Sequence, residues 1–164
     1  MTEVRELVKS YDDAVKTSED ALELQNQGEI HKALELWRSV ARYDPEFDIA
    51  SAFEHIGEIL EELGDIANAE KAYRAAIAFQ PGYDMYILNY AGFLAEHAKA
   101  EQARPLYEIL RRGTGNVAET ADRCARLLET TGAEAPNESQ GAPTSLSDIK
   151  FSISESELRE ILGD

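Results

Sequence analysis

Apolar and small residues return along the chain at intervals that fit pairs of amphipathic helices. Ala33, Ala69 and Ala103 recur after 36 and then 34 residues, and other positions recur with them. Four residues beyond each alanine stands an aromatic: Trp37, Tyr73 and Tyr107. Nine before each stands Leu24, Leu60 or Leu94, and twelve before, a small residue: Ala21, Gly57 or Ala91. Five before come Gly28, Gly64 and Ala98; twelve after come Pro45, Pro81 and Gly115. Two glycines of the first set suit a helix end in the left-handed conformation, and the prolines stop a second helix. The pattern predicts six helices, over about 14–27, 31–44, 50–63, 67–80, 84–97 and 101–113. Val4, Leu7, Val8, Tyr11 and Val15 continue the helical spacing backwards, as an extension over 1–13. A seventh helix is expected in NVAETADRCARLLETTG, capped by Asn116, with Val117, Ala121, Cys124, Leu127 and Leu128 on its packed face.

A repeat near 34 residues with small, aromatic and proline positions in this order resembles the tetratricopeptide repeat. The middle unit is most similar, carrying Phe53, Ile56, Gly57, Leu60, Gly64, Ala69, Tyr73, Ala76 and Pro81. The first unit has Thr17 and Asp20 where large apolar residues are usual, and the third ends in Gly115 instead of proline. The resemblance covers residues 14–117. It implies an all-α, tetratricopeptide-like helical-hairpin superhelix of three repeats with a C-terminal capping helix. Repeats and cap would occupy 14–131. It also implies a protein-binding adaptor or scaffold whose concave groove is lined by the first helix of each hairpin.

Carried over from that family, the groove positions include Leu22, Gln25 and Asn26 in the first repeat. Glu54, Glu58, Glu61 and Glu62 follow in the second, and Met85, Leu88, Asn89 and Gly92 in the third. The middle wall is a row of like charges three and four residues apart, an arrangement that costs about 0.2–0.5 kcal/mol per pair in an isolated helix. Such a row suits a basic ligand, with a solvated charged face as the plain alternative. The third wall reads as apolar, Met85 and Leu88 facing outward. The Lys, Asn and Arg set by which some members clamp an acidic peptide is absent: Ser18, Leu22, His55, Met85 and Asn89 stand there. Acidic secretion chaperones built of three such repeats remain a possible likeness by length and charge.

Residues 132–147 lose all periodicity and read as linker, rich in Gly, Pro, Ser, Ala, Asn and Gln. Residues 148–164 then spell a helix start. Ser154 and Glu157 form a capping box, and Ile153 and Leu158 a hydrophobic staple. Leu158, Ile161 and Leu162 make a stripe that Gly163 ends. With Phe151 and Ile153 these residues form a candidate docking motif, too short to be a stable helix alone. It has three readings: it docks on Met85 and Leu88 of its own groove, it docks on another protein, or it is a frayed C-terminus. Five acids against two bases in 148–164 turn it from the glutamate wall, which favours an outside partner.

Charge sharpens the picture. The chain has 32 acidic and 16 basic residues, a formal net charge of −16. That field repels phosphate backbones and anionic lipid, so the partners expected are proteins or peptides of basic and apolar character, not nucleic acid or membrane. Self-association as a structural scaffold is the competing reading. One cysteine, Cys124, precludes an internal disulfide and any CxxC motif, and on the seventh helix it reads as packing. No apolar run approaches the ~18 residues of a membrane span, and the opening MTEVRELVKSYDD lacks a signal-like core. A cytoplasmic protein is therefore expected. His31, His55 and His97 are scattered, and no nucleophile, phosphate-loop or metal motif appears. The sequence thus predicts no catalytic residue, metal or cofactor.

Overall fold

The structure is a computed structural model that describes residues 8–43, 51–131, 143, 145–149 and 151–164. Among these residues the chain is all-helical, with eight α-helices, one short 3-10 turn and no strand. The helices are α1 (Tyr11–Asn26), α2 (Ile30–Tyr43), α3 (Ser51–Glu62), α4 (Ile66–Phe79), α5 (Asp84–Glu96), α6 (Ala100–Leu110), α7 (Gly115–Thr130) and α8 (Glu155–Leu162). Consecutive helices pair as three hairpins, α1 with α2, α3 with α4 and α5 with α6.

The three hairpins turn in the same way. Gly28 and Gly64 adopt φ of +79° and +80°, and Ala98 takes the matching place at +59°. In each, the amide three residues past the helix reaches back over the turn. Glu29 N–H donates to the Leu24 carbonyl at 2.9 Å, Asp65 to Leu60 at 2.8 Å and Lys99 to Leu94 at 2.8 Å. These are the closing bonds of Schellman motifs, which satisfy carbonyls that the helix end leaves open. Ala98 meets the same demand without glycine's freedom, so the third turn is strained where the first two are not.

The small residues do what their spacing implies. Ala21, Ala33, Ala69, Ala91 and Ala103 are completely buried, and Trp37, Tyr73 and Tyr107 are buried beside them. At Gly57 a Cβ would stand 3.2 Å from the Tyr73 ring. The ring therefore lies directly on the backbone of α3, and the helices of this hairpin approach as closely as that contact allows.

The chain divides into two compact units. The first comprises residues 1–81 together with 152–164, and the second 82–151. In the first, α2 also packs on α3, while α8 packs on α4 and along α2. Phe53 and Phe79 stack within it at 5.4 Å. In the second, α7 packs on α6 and, less extensively, on α5.

Several local expectations shift. α7 begins at Gly115 with Thr114 as N-cap, so Asn116 lies inside the helix. Its buried face is Ala118, Ala121 and Ala125. Leu127, expected on that face, is 63% exposed, because the face that fits α6 is set by the small residues one step away. At the front, residues 1–7 of the expected extension over 1–13 lie outside the described residues. α1 starts at Tyr11, where the Ser10 hydroxyl accepts a 3.1 Å hydrogen bond from Asp13 N–H. Of the expected linker, 132–142 and 144 lie outside the described residues, as does Pro45. Leu146–Asp148 forms a 3-10 turn closed by a Ser145–Asp148 capping box.

Candidate functional site

Two surfaces carry the candidate chemistry. The first belongs to α1 and α3. Glu58 and Glu62 are exposed on α3, and Glu54 and Glu61 are half-buried. The Tyr73 hydroxyl donates to Glu61 Oε2 at 3.0 Å. Burial pushes the Tyr73 phenol well above its ordinary range, and the charges of Glu61, Glu58 and Glu54 push it further. His55 lies over Trp37, ring centroids 4.3 Å apart and planes at 13°, and its Nδ1 is 3.1 Å from Glu58 Oε2. On α1, Leu22 is 41% exposed and Asn26 is exposed, whereas the Gln25 side-chain oxygen accepts from the Trp37 indole at 3.3 Å. Gln25 is thus tied to the hairpin core; Leu22 and Asn26 are presented to solvent.

The third-repeat residues lie in the second unit. Met85 is 37% exposed and Tyr83 53%, with Tyr83 set edge-on to Tyr86 at 4.7 Å. Leu88, expected to face outward with Met85, is buried, and Asn89 and Gly92 are half-buried. α5 is apolar around most of its circumference, and such a helix is enclosed instead of presenting one apolar stripe to water. The apolar wall reduces to Met85 and the neighbouring Tyr83.

The second surface holds the tail. The Ser154–Glu157 capping box forms as the spacing predicts. Glu157 N–H donates to the Ser154 hydroxyl at 3.2 Å, and Ser154 N–H donates to Glu157 Oε2 at 2.9 Å. Gly163 ends α8 at φ +77°. Ile161 and Leu162 are buried, and Ile153 and Leu158 half-buried. Phe151 stays with the second unit, edge-on to Tyr90 at 6.1 Å.

The tail docks on its own chain at a place the sequence does not announce. It lies on the second helices of the first two hairpins, where Arg38, Arg42, Lys71 and Arg74 receive it. Arg74 donates to Glu157 Oε1 at 2.5 Å and to the Ser152 carbonyl at 3.0 Å, and Lys71 pairs with Glu160. Arg38 Nε donates to the Ile161 carbonyl at 3.0 Å, and Arg42 to the Leu162 carbonyl and, at 3.2 Å, to Asp164 Oδ1. Two guanidinium groups thus cap the negative end of the α8 dipole. Donation from the Ser154 amide and then from Arg74 holds the Glu157 carboxyl down at about 2. A Cβ at Gly163 would stand 3.1 Å from Arg38, so glycine also permits this approach.

The acids that turn the tail from the glutamates suit this basic cradle. The four bases were the residues missed. Their signal was present: Arg38 and Arg74 each follow the repeat's aromatic, in Trp37-Arg38 and Tyr73-Arg74. Arg42 and Lys71 lie one turn away on the same helices.

Elsewhere, burial raises the Tyr107 phenol, with Cys124 and then Glu96 adding to the rise. Cys124 is half-buried beside it. Among the described residues, no group of three or more His, Cys, Asp or Glu is placed to hold a metal ion. Nor is any described helix long and apolar enough to cross a membrane.

Residues 50–83, the α3–α4 hairpin, match the family model of the tetratricopeptide repeat. No curated protein and no solved structure matches the chain. The matched segment and the threefold recurrence of its turn and packing positions establish tetratricopeptide-like hairpins.

Proposed function

We propose that this chain of tetratricopeptide-like hairpins is a protein-binding adaptor whose α1–α3 face takes a partner segment of basic and apolar character. A general protein-interaction role accords with the repeat. The partner's chemistry is inferred from the face itself. The observation that carries it is the acidic row on α3, in which Glu61 accepts from the Tyr73 hydroxyl, Glu54 is half-buried, and Glu58 and Glu62 are exposed on the same helix. Lys or Arg side chains would meet these carboxylates. An apolar side chain would cover Leu22, and Asn26 would offer an amide to a peptide backbone. Long-range attraction by a chain of net charge −16 would speed such an encounter and weaken with salt.

The test replaces Glu54, Glu58 and Glu61 with Gln and compares quantitative capture by immobilised variant and parent chains. Three lost charge contacts of about 0.5–1 kcal/mol each predict roughly 10- to 100-fold weaker capture of partners with Lys- and Arg-rich segments. Raised salt should reproduce part of the loss with the parent chain. Equal capture by both would make the glutamate row solvated surface.

A further inference from the structure

The first unit is completed by a segment that returns to it after seventy residues spent in the second. That segment, 152–164, touches the unit through one short helix and a set of ion pairs. Its apolar anchors, Ile161 and Leu162, stand together at one end. Nothing in these contacts requires tail and cradle to belong to the same chain. We propose that α8 is exchangeable: the α2–α4 cradle of one chain accepts residues 152–164 of a second copy, and two chains close into a dimer by trading tails.

Three observations carry this. First, the occupant's fit is visible. Arg74 with Glu157, Lys71 with Glu160 and Arg42 with Asp164 match charge for charge, and Arg38 and Arg42 take the last carbonyls of the helix. A second copy carries the same tail in a chain otherwise strongly acidic, so its basic cradle is the complementary surface it offers that tail. Second, the helix is separable. It is eight residues long with its own capping box, so it can form as it docks and leave α2 and α4 paired with their hairpin partners. Third, residues 132–151 join α7 to the docked segment. Once Phe151 leaves Tyr90 and the Leu146–Asp148 turn opens, twenty residues have a length limit of about 70 Å, enough to reach a neighbouring molecule.

Exchange creates no new interface, so the balance rests on concentration. A tethered tail meets its own cradle at an effective concentration of order millimolar. The parent chain is therefore monomeric when dilute and trades tails as its concentration approaches that value.

Charge reversal separates the two modes. One full-length variant carries Lys71→Glu and Arg74→Glu; another carries Glu157→Lys and Glu160→Lys. Each is mismatched with itself and matched with the other, and Ser154 still caps the backbone of α8 in both. Sedimentation of an equimolar mixture should show a species of twice 18.2 kDa that neither variant forms alone. Hydrogen exchange should show α8 amides open in each variant and protected again on mixing. The chain with all four substitutions, matched within itself, should sediment as a monomer when dilute, with α8 protected. A mixture that stays monomeric with open α8 amides at about 1 mM overturns the proposal. So does a dimer that each variant forms alone, since it would not depend on matched tails.

Discussion

Ile161→Ala tests how α8 is held. Ile161 is completely buried in a helix that packs on α4 and along α2. Deleting its outer carbons in a packed core costs about 2–5 kcal/mol. Here the lower part of that range applies, about 2–3 kcal/mol, because a peripheral helix can settle into the space. The loss is also capped: once α8 leaves, nothing further is lost from the hairpins. Hydrogen exchange by mass spectrometry or NMR reads this directly. Amides bonded within α8, such as Leu158 N–H to the Ser154 carbonyl at 2.9 Å, should exchange roughly 30- to 150-fold faster. Amides of α3 and of the buried face of α4 should change by less than about twofold, as expected for a separately opening unit. Unchanged α8 protection would show that Ile161 does not anchor the helix. Equal acceleration throughout α2, α3 and α4 would show that α8 is part of one cooperative core, and the separability argument would fall.

Other predictions follow from the turns and the titrating groups. Ala98→Gly should relieve the left-handed strain and stabilise by about 0.5–1 kcal/mol after glycine's entropy is deducted, raising the melting midpoint by about 1–4 °C. Gly64→Ala should do the opposite by a similar amount, and a loss of stability in Ala98→Gly would contradict the shared turn geometry. Because the Glu157 carboxyl is held at about 2, below its ordinary 4.5, it stabilises docking above about pH 4.5. That contribution should fade as pH falls from about 4.5 towards 2, read as loss of α8 protection, and Glu157→Gln should flatten the profile. Tyr73 and Tyr107 are held above the ordinary phenol value of 10, so the native state binds these protons more tightly than the unfolded chain. Their stabilisation is complete below about pH 10 and falls as pH rises beyond it; urea titrations from pH 9 to 11 check the slope. Tyr73→Phe, which removes the donor to Glu61, should cost about 1–2 kcal/mol by the same denaturation measurement.

Much of the fold was legible because its constraints are local or periodic. Gly28 and Gly64 announce left-handed turns, and Ala33, Ala69 and Ala103 with their aromatics announce close helix pairs. Ser154 and Glu157, three residues apart, suffice to write a capping box. What was not legible depends on which face a neighbour covers. Leu88 and Leu127 satisfy helical spacing equally well as exposed or buried residues, and only the packing of α5 and α7 places the first inside and the second outside. The tail's destination was hidden for the same reason. Arg38 and Ile161 are 123 residues apart, and Arg74 and Glu157 are 83 apart. Periodicity relates positions within a repeat, not the back of one helix to a segment that arrives after an intervening unit. The acidic row on α3 was readable as a row; the hydrogen bond from Tyr73 to Glu61 required the hairpin to be closed.

The footprint of a captured partner decides whether the α1–α3 face receives that partner's basic segment. Hydrogen exchange and cross-linking of the complex should protect and label the region of Leu22, Asn26, Glu54 and Glu58, with the footprint lost in Glu54→Gln, Glu58→Gln, Glu61→Gln. A footprint confined to α2 and α4, and unchanged by those substitutions, would contradict the account.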